Sequence, residues 1–451
     1  MGIFGAMTTA VAGLQAQSFA LENISGNIAN SQTTGFKRMD TSFADIVNSL
    51  GQTAERQGSG SVMALSRSTN MLAGPISASS IDTHMAISGD GYFQVQSKVG
   101  ETDGVSQFSG ANVYTRRGDF VMDREGYLVN GAGYYLMAIP VDPGTGNPQG
   151  DVPEILKIST GFLEARQSTR ITYQASIPSN PRVPMVNTAD YGVGGNPLTT
   201  GAGGDGVVLA NDFEDFRGQS LEGGSTTLYD ALGAKLDVQF RWAQTATSPE
   251  TWNLFYQSDP SATGTQPMWT NVGTDFVFDN TGKMTSPTSA SISIPSLSVS
   301  GHSLGNITLD YDTDGIRQNA TSQGDVIVNV IDQDGYTAGS LVSVAAGDNG
   351  RITATYTNGQ QVDIAEVPLF QFNGDSSLKR LDGGAFSVTR ESGPAMKMNE
   401  TSITGQALEG SNTDIAEEFS RMIITQQAYS ANSRIISTAN DMMQDVLNII
   451  R

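Results

Sequence analysis

Apolar residues recur at alternating steps of four and three at both ends of the chain, and this coiled-coil spacing limits the fold more than any other feature. The first row runs through Ile3, Met7, Ala10, Leu14, Gln17, Leu21, Ile24 and Ile28. The second row runs through Ile415, Phe419, Met422, Gln426, Tyr429, Ser433, Ile436, Asn440, Met443, Leu447 and Ile450. We therefore predict one helix at each end of the chain, and we expect the two ends to meet and pack together.

Neither predicted helix should be stable in isolation. Gly2, Gly5, Gly13 and Gly26 interrupt the N-terminal row, and each glycine inside a helix costs about 1 kcal/mol relative to alanine. The C-terminal segment is rich in serine and asparagine, which are weak helix formers. It also carries a second apolar row, which consists of Ile424, Ala428, Ala431, Ile435, Met442, Val446 and Ile449. Two interpretations stay open: a helix buried in its own domain, or a helix with neighbours on several sides in a helical assembly. The weak propensities favour the assembly.

The composition excludes several classes of protein. With 46 acidic and 25 basic residues the chain has a formal net charge of −21, so it lacks the excess of Lys and Arg that nucleic acid or an anionic membrane requires. It has no cysteine, which excludes disulfides and thiolate-bound metals. We find no run of about 20 apolar residues that would span a membrane. No basic segment precedes the early apolar residues, so we expect no cleaved signal peptide.

The middle of the chain has the alternating pattern of β-structure. Strands joined by glycine-containing turns are predicted at 85–140, 153–180, 225–242, 251–257 and 335–360. Trp242 and Trp252 should pack a small core, whereas residues 181–220, rich in Pro, Gly and Asn, should be irregular. The predicted fold class is therefore α+β and multidomain. The coiled-coil-like terminal helices are expected to pair with each other, and antiparallel β-rich domains are expected between them.

Several separated segments resemble the signatures of bacterial flagellar rod and hook proteins. They are residues 22–30 (ENISGNIAN), 34–37 (TGFK), 87–93 (ISGDGYF), 114–120 (YTRRGDF), 123–130 (DREGYLVN), 408–414 (LEGSNTD) and 426–433 (QQAYSANS). The strands and glycine turns of residues 335–360 resemble hook proteins more closely than rod proteins. The chain is therefore identified as a member of the flagellar rod and hook family, and within that family it resembles the hook proteins.

The resemblance implies a nested, radial arrangement of three domains. Residues 1–72 and 399–451 would form an inner helical domain with its linker. Residues 73–172 and 318–398 would form the main β-rich domain, and residues 173–317 an outer β-rich domain inserted into it. Within the inner domain, residues 40–50 continue with a short amphipathic pattern, and Gly35 is expected at a positive φ.

The resemblance also implies a structural protein and not an enzyme. Its copies would self-assemble into a curved, flexible tube, a universal joint that transmits torque from the rod to the filament. Expected partners are other copies of the chain, the distal rod, the hook cap, the hook–filament junction proteins and the flagellar type III export apparatus. That apparatus would deliver the chain outside the cell. No nucleic acid, membrane or cofactor is expected. For the self-assembly interface we predict Ile3, Met7, Leu14, Leu21, Ile28, Phe36, Phe419, Met422, Tyr429, Ile436, Met443 and Leu447.

Alternative functions stay open at this point. The first is a distal rod or hook–filament junction subunit, and the second, from a different class, is an extracellular β-rich hydrolase or adhesin with helical termini. Asp310, Asp312 and Asp314 have the spacing of the first ligands of a calcium loop, but Thr321 stands where a bidentate Glu is expected. No catalytic residue is predicted.

Overall fold

The computed structural model describes residues 3–46, 61–191, 197, 206–312, 314–321, 323–398 and 403–449. The chain divides into two compact units. The first comprises Met1–Thr160, Val342–Thr355 and Gln361–Arg451, and the second comprises Gly161–Leu341 and Tyr356–Gln360.

The described residues form three α-helices and a large number of short strands. The helices are α1 (Ile3–Ala29), α2 (Phe213–Gly218) and α3 (Ile415–Ile449). In chain order the first strands are β1 (Met39–Ile46), β2 (Ser61–Ser68), β3 (Ile76–Ala78), β4 (Met85–Ile87), β5 (Tyr92–Thr102), β6 (Val105–Phe108), β7 (Val113–Thr115), β8 (Val121–Met122), β9 (Leu128–Val129), β10 (Tyr134–Pro140) and β11 (Glu154–Ile155). The strands of the second unit are β12 (Arg170–Pro178), β13 (Val207–Leu209), β14 (Ser220–Tyr229), β15 (Lys235–Thr247), β16 (Glu250–Gln257), β17 (Pro267–Phe278), β18 (Met284–Ser286), β19 (Ser291–Val299), β20 (His302–Asp310), β21 (Ile316–Asn319) and β22 (Ile327–Gln333). The last strands are β23 (Leu341–Ala346), β24 (Arg351–Tyr356), β25 (Gln361–Glu366), β26 (Leu369–Gln371), β27 (Lys379–Arg380), β28 (Ala385–Ser387), β29 (Met396–Lys397), β30 (Ile403–Gly405) and β31 (Ala407–Glu409).

The two terminal helices pair with each other in antiparallel orientation. Gly13 of α1 lies against the side chain of Asn432 of α3. Fourteen residues further along α1, Asn27 Nδ2 donates to Glu418 Oε2, fourteen residues back along α3, at 3.2 Å. As the residue number rises along α1, the number of the contacting residue in α3 falls, so the two helices are antiparallel. The predicted pairing of the helical ends is confirmed.

The segment that follows α1 in the predicted inner domain is a β-hairpin. β1 and β2 are antiparallel, with a register from Met39↔Ser68 to Ile46↔Ser61. Asn23 Nδ2 donates to Thr41 Oγ1 at 2.9 Å, so the face of β1 that carries Thr41 is turned toward α1. Residues 40–46 thus alternate with a period of two, not with the helical period. The rest of the predicted 40–50 pattern lies outside the described residues.

The remaining strands of the first unit bring distant parts of the chain together. β10 pairs with β25, β5 with β26, and β7 with β28, all antiparallel. Closer to the helices, β3 pairs with β31 and β4 with β30. Each of these pairs joins the segment that follows α1 to the segment that precedes α3, which holds the two ends of the chain in one place.

The second unit contains two mainly antiparallel sheets around a core that includes both predicted tryptophans. One sheet has the order β19-β20-β12-β21, with β22 also paired to β12, and the other has the order β13-β17-β16-β15-β14. Trp242 and Trp252 are fully buried, and Trp242 Nε1 donates to Tyr173 Oη at 2.8 Å. β12 pairs with β20 and β21 in parallel orientation, unlike the other strand pairs of these two sheets.

The second unit is wider than the predicted insertion of residues 173–317. β12 starts at Arg170 and is hydrogen-bonded to β22, which ends at Gln333, so both edges of the predicted insertion belong to one sheet. The predicted inner helical domain lies in the first unit, together with residues 73–160, 342–355 and 361–398 of the predicted main β-rich domain. The division of the chain into three domains stays a prediction. Residues 181–220, expected to be irregular, contain β13 and α2, and Phe216 anchors α2 among Phe255 and Trp269.

Candidate assembly surface

The side of α1 that faces α3 is made mostly of small residues. Its buried positions are Ala10, Gly13, Ala16, Ala20, Ile24 and Asn27. A Cβ atom on Gly13 would lie 2.8 Å from Asn432 Nδ2, closer than side chains tolerate. The two helices therefore approach closely along a narrow seam. Large apolar side chains are left at its edges.

The predicted assembly residues differ in how far they are buried. Met7, Leu14, Leu21 and Ile28 of α1 and Met422, Ile436 and Met443 of α3 are half-buried. Phe419 and Tyr429 are exposed, at 50% and 42%. Phe36 is half-buried, with the Arg380 guanidinium 4.5 Å from the centre of its ring. Ile3 and Leu447 lie in α1 and α3, but their side chains fall outside the described part of the chain.

Two apolar faces of α3 are exposed on opposite flanks of the seam. We call them face A and face B. Face A consists of Ile415, Phe419 and Ile423, and face B consists of Ile424, Ala428, Ala431, Ile435 and Met442. At about 100° per residue, the residues of each face lie close to one line along the helix. Ile423, Ile424 and Met442 are each more than half exposed. The second apolar row predicted from the sequence is therefore face B, extended by two residues beyond the described side chains.

The free face of α1 is also apolar. Phe4 is 68% exposed and Val11 41% exposed, and half-buried Met7 and Leu14 lie on the same flank. Glu22 is the one charged residue of α1. This flank therefore offers a second apolar surface with almost no charge.

A buried cluster of charges ties the C-terminal segment to the segment after α1. Glu409, at the end of β31, is fully buried, and its Oε1 accepts from Lys37 Nζ at 2.5 Å and from Gly74 N at 2.8 Å. Its Oε2 lies 3.4 Å from the Arg116 guanidinium. Burial lowers the pKa of Lys37, and the Glu409 carboxylate opposes that shift. In the sequence, Lys37, Arg116 and Glu409 stand out only because they lie in segments that resemble flagellar rod and hook proteins. No pattern in it shows that they meet.

A second set of contacts holds the base of α3 against the hairpin. Arg38 Nη1 donates to Glu417 Oε2 at 2.9 Å, and Arg421 Nη1 donates to Asp40 Oδ1 at 2.7 Å. Asn412 Oδ1 accepts from Arg38 N at 2.7 Å. Because these bonds join α3 to β1, the direction in which the helical pair leaves the hairpin is fixed.

Gly35 occupies the tight turn between α1 and β1. Its φ is +64°, as the sequence predicts. A Cβ atom at this position would lie 2.9 Å from the backbone of Arg116 and Arg117. Only glycine meets both conditions without a shift of the backbone.

A bulky side chain at Gly13 should weaken the helical pair. For Gly13→Leu we expect the free energy of unfolding to fall by about 1–3 kcal/mol, because the seam has no room for the side chain. Gly26→Leu is the matched control, since a Cβ there meets nothing within 4 Å. It should be neutral or stabilising by up to about 1 kcal/mol. Urea unfolding followed by helical circular dichroism measures both. Equal stability of the two variants would contradict the close seam.

Asp375 should make the first unit sensitive to pH. Burial, followed by the nearby Asp90 carboxylate, raises the pKa of Asp375 above its ordinary value of 3.8. A raised carboxyl pKa gives a stabilising contribution that is fully present at acid pH and is lost as the pH rises through the raised pKa. Asp375→Asn should therefore raise the free energy of unfolding at pH 7 and should change it little at pH 3. An equal gain at both pH values would rule out this explanation.

The candidate metal residues are engaged with arginines. Asp310 Oδ2 lies 2.5 Å from Arg170 Nη1, and Asp314 Oδ1 lies 2.7 Å from Arg317 Nη2. In the third residue of the candidate loop, Asp312, the backbone N donates to Asp310 Oδ1 at 3.4 Å. Within the described ranges, no three His, Cys, Asp or Glu side chains converge as metal ligands.

A hydrolase signature is present in the sequence but has the wrong structural context. Residues 301–305 (GHSLG) match G-x-S-x-G, and His302 Nδ1 lies 3.7 Å from Asp230 Oδ2. In α/β-hydrolases this serine stands on a turn from a strand to a helix. Here the segment joins β19 to β20, two antiparallel strands. The motif is therefore part of a hairpin.

None of the helices within the described residues has the length and apolar character that crossing a membrane demands.

Four family models of flagellar proteins match separate parts of the chain. They are Flagella basal body rod protein at residues 7–37, Flagellar hook protein FlgE/F/G D1 domain at 86–180, Flagellar basal body protein FlaE D2 domain at 216–336, and Flagellar basal body rod FlgEFG protein C-terminal at 404–449. The first and last matches contain most of α1 and α3.

Curated relatives match along the whole length. Flagellar hook protein FlgE of Brucella suis is 30% identical over 457 residues, with 100% of both chains covered. Flagellar hook protein FlgE of Salmonella typhimurium is 26% identical over 98% of both chains. The crystal structure of Helicobacter pylori flagellar hook protein FlgE2 aligns with a TM-score of 0.48 at 16% identity, over 73% of this chain and 99% of that one. The full-length similarity to the Brucella protein shows that this chain belongs to the flagellar hook protein family and is a structural subunit of the hook.

Proposed function

We propose that copies of this chain assemble through the free apolar faces of α1 and α3 into a curved, flexible tube. The tube serves as a universal joint that transmits torque from the rod to the filament. The observation that carries this proposal is the seam between the helices. Small residues fill it, while Phe4, Phe419, Ile424 and Ile435 stay exposed. If the helical pair were a self-contained domain, its largest apolar side chains would be buried.

The free energy available on these faces is sufficient for association. Burying one Ile or Phe side chain contributes about 1.5–3 kcal/mol. Each copy exposes several such side chains on α1 and α3, and a tube repeats every contact many times. The N-terminal segment carries no net charge, since residues 1–72 contain four acidic and four basic residues, and residues 400–451, with seven acidic and three basic residues, carry −4 of the total of −21. Charge repulsion between neighbouring helices is therefore small, whereas the acidic middle of the chain stays solvated.

The same reasoning extends to partners and location. The tube would join the distal rod at one end and the hook–filament junction proteins at the other, and it would grow beneath a hook cap. A chain without cysteine needs no oxidising compartment to fold. That property suits delivery outside the cell through the flagellar type III export apparatus without cleavage of a signal peptide.

Electron microscopy of the purified protein tests the proposal. We expect the intact chain to form curved tubes, and we expect variants that lack residues 1–30 or 415–451 to form none. Tryptophan fluorescence, which reports on the second unit alone because all three tryptophans lie there, should be unchanged in these variants. Tubes formed by either truncated variant would overturn the proposal.

Micrographs of cells test the position of the protein in the flagellum. Cells without this gene should have basal bodies that end at the rod, with no hook. Intact hooks in such cells would assign the chain to a different part of the flagellum.

A further inference from the structure

Face A and face B occupy different levels of the same helix. Face A ends at Ile423, because the positions that would continue it along the helix are Gln426, Ser430, Ser433 and Ser437. Face B starts at Ile424 and continues to Met442. One copy therefore presents two apolar surfaces. They lie on different sides of α3 and at different positions along its axis, and they contain different residues.

The two faces are complementary in size. Face A presents three large side chains, those of Ile415, Phe419 and Ile423. Face B has two small residues, Ala428 and Ala431, between large residues at either end. A ring of the size of Phe419 fits over two alanines on a facing helix, as a knob fits into a hole. Two copies of face A facing each other would place large side chains against large side chains, with no such hole.

The direction of the helices supports the same pairing. In an open polymer, neighbours are related by a rotation about one axis and a shift along it, so α3 helices that run along that axis keep the same direction. A shift of about 10 residues, or about 15 Å, then brings face A of one copy opposite the two alanines of face B in the next. An isologous A–A contact is made about a two-fold axis, and such a contact closes the assembly at a dimer instead of extending it.

We propose that face A of one copy binds face B of the next copy, so that α3 forms a heterologous, head-to-tail contact along the polymer. This inference rests on the assembly role proposed above and adds which surfaces meet. Each contact involves three residues of face A and five of face B, far fewer than the roughly 20–30 residues a side of a stable pairwise interface. The contact is therefore weak in isolation and strong only when the polymer repeats it, which leaves subunits free to shift as a tube bends.

The absence of cysteine allows a direct test. Two full-length variants are prepared, Ile423→Cys in face A and Ile435→Cys in face B, and each is first shown by sedimentation to polymerise. Polymers of either variant alone and polymers of an equimolar mixture are treated with a bis-maleimide that has a flexible spacer. We expect covalent dimers from the mixture and at least tenfold fewer from either variant alone. Ile415→Cys and Ile424→Cys form a second pair if one of the first variants does not polymerise.

The outcomes separate this inference from the assembly proposal. Dimers from a single variant in the same yield as from the mixture would show a contact between identical faces. Intact mixed polymers without dimers from either cysteine pair would show that faces A and B do not meet. Either result overturns the inference and leaves assembly through the helices standing. Failure of the unmodified chain to polymerise overturns both.

Discussion

Glu409→Ala should lower the free energy of unfolding of the first unit by about 3–5 kcal/mol. The substitution leaves two buried cations without their carboxylate, and this is the costly way to break a buried ion pair. Lys37 and Arg116 are both almost fully buried, and no exposed face is available to either of them. Urea unfolding followed by helical circular dichroism measures the change, because α1 and α3 lie in the first unit.

Glu417→Ala is the matched control for this prediction. Glu417 also forms ion pairs, with Arg38 at 2.9 Å and Arg421 at 2.6 Å, but its side chain is 46% exposed. Removal of an exposed partner should cost no more than about 1 kcal/mol. The unfolding of the second unit, followed by tryptophan fluorescence, should be unchanged in both variants. A cost below about 1 kcal/mol for Glu409→Ala would mean that the buried cluster does not hold the chain ends together.

The cost of Glu409→Ala should also depend on pH. Burial lowers the pKa of Lys37, and the variant has lost the carboxylate that opposes this shift. The folded-state pKa of Lys37 then lies below that of the unfolded chain, so the folded state loses its proton first as the pH rises. The penalty should therefore be largest near neutral pH and should shrink as the pH approaches 10.5.

The double variant Ile424→Glu/Ile435→Glu should abolish assembly while the subunit stays folded. Both side chains are exposed, at 66% and 46%, so neither belongs to the core of the subunit. In the polymer they replace two apolar contacts, worth about 3–6 kcal/mol together, with buried charges. We expect the critical concentration for tube formation to rise at least about 100-fold. Sedimentation of polymer over a concentration series measures it.

Ser430→Glu/Ser437→Glu adds the same charge to the same helix without touching face A or face B. Both serines are exposed and lie on the polar continuation beyond face A. This control should polymerise with a critical concentration within about threefold of that of the unmodified chain. If the two double variants were equally impaired, charge on α3 would explain the loss, and the apolar faces would not.

Heptad spacing was enough to predict the terminal helices and their pairing, but not the residues that pair. The pattern draws attention to Leu14, Leu21 and Phe419 because they are large and apolar, whereas the seam selects Gly13 and Ala16 because they are small. Small residues contribute little to a hydrophobic pattern. Which large residues stay free therefore depends on how closely the helices approach, a tertiary property.

In the β-rich regions too, features that depend on neighbouring residues could be predicted from the sequence, whereas contacts between residues far apart in the chain could not. Trp242 and Trp252 were predicted to be buried because large aromatic side chains in alternating runs rarely stay exposed. The contact between Lys37 and Glu409 joins residues 372 positions apart, and isolated charged residues are usually solvated. The edges of the second unit depend on a distant contact in the same way, since β12 and β22 pair across most of that unit.

Helical reconstruction of the assembled polymer by electron cryomicroscopy tests the central claim most directly. We expect α1 and α3 in the innermost layer, with Phe419, Ile424 and Ile435 buried between neighbouring copies. A polymer in which these side chains remain exposed to solvent, or in which contacts between second units alone hold the copies together, would contradict the claim.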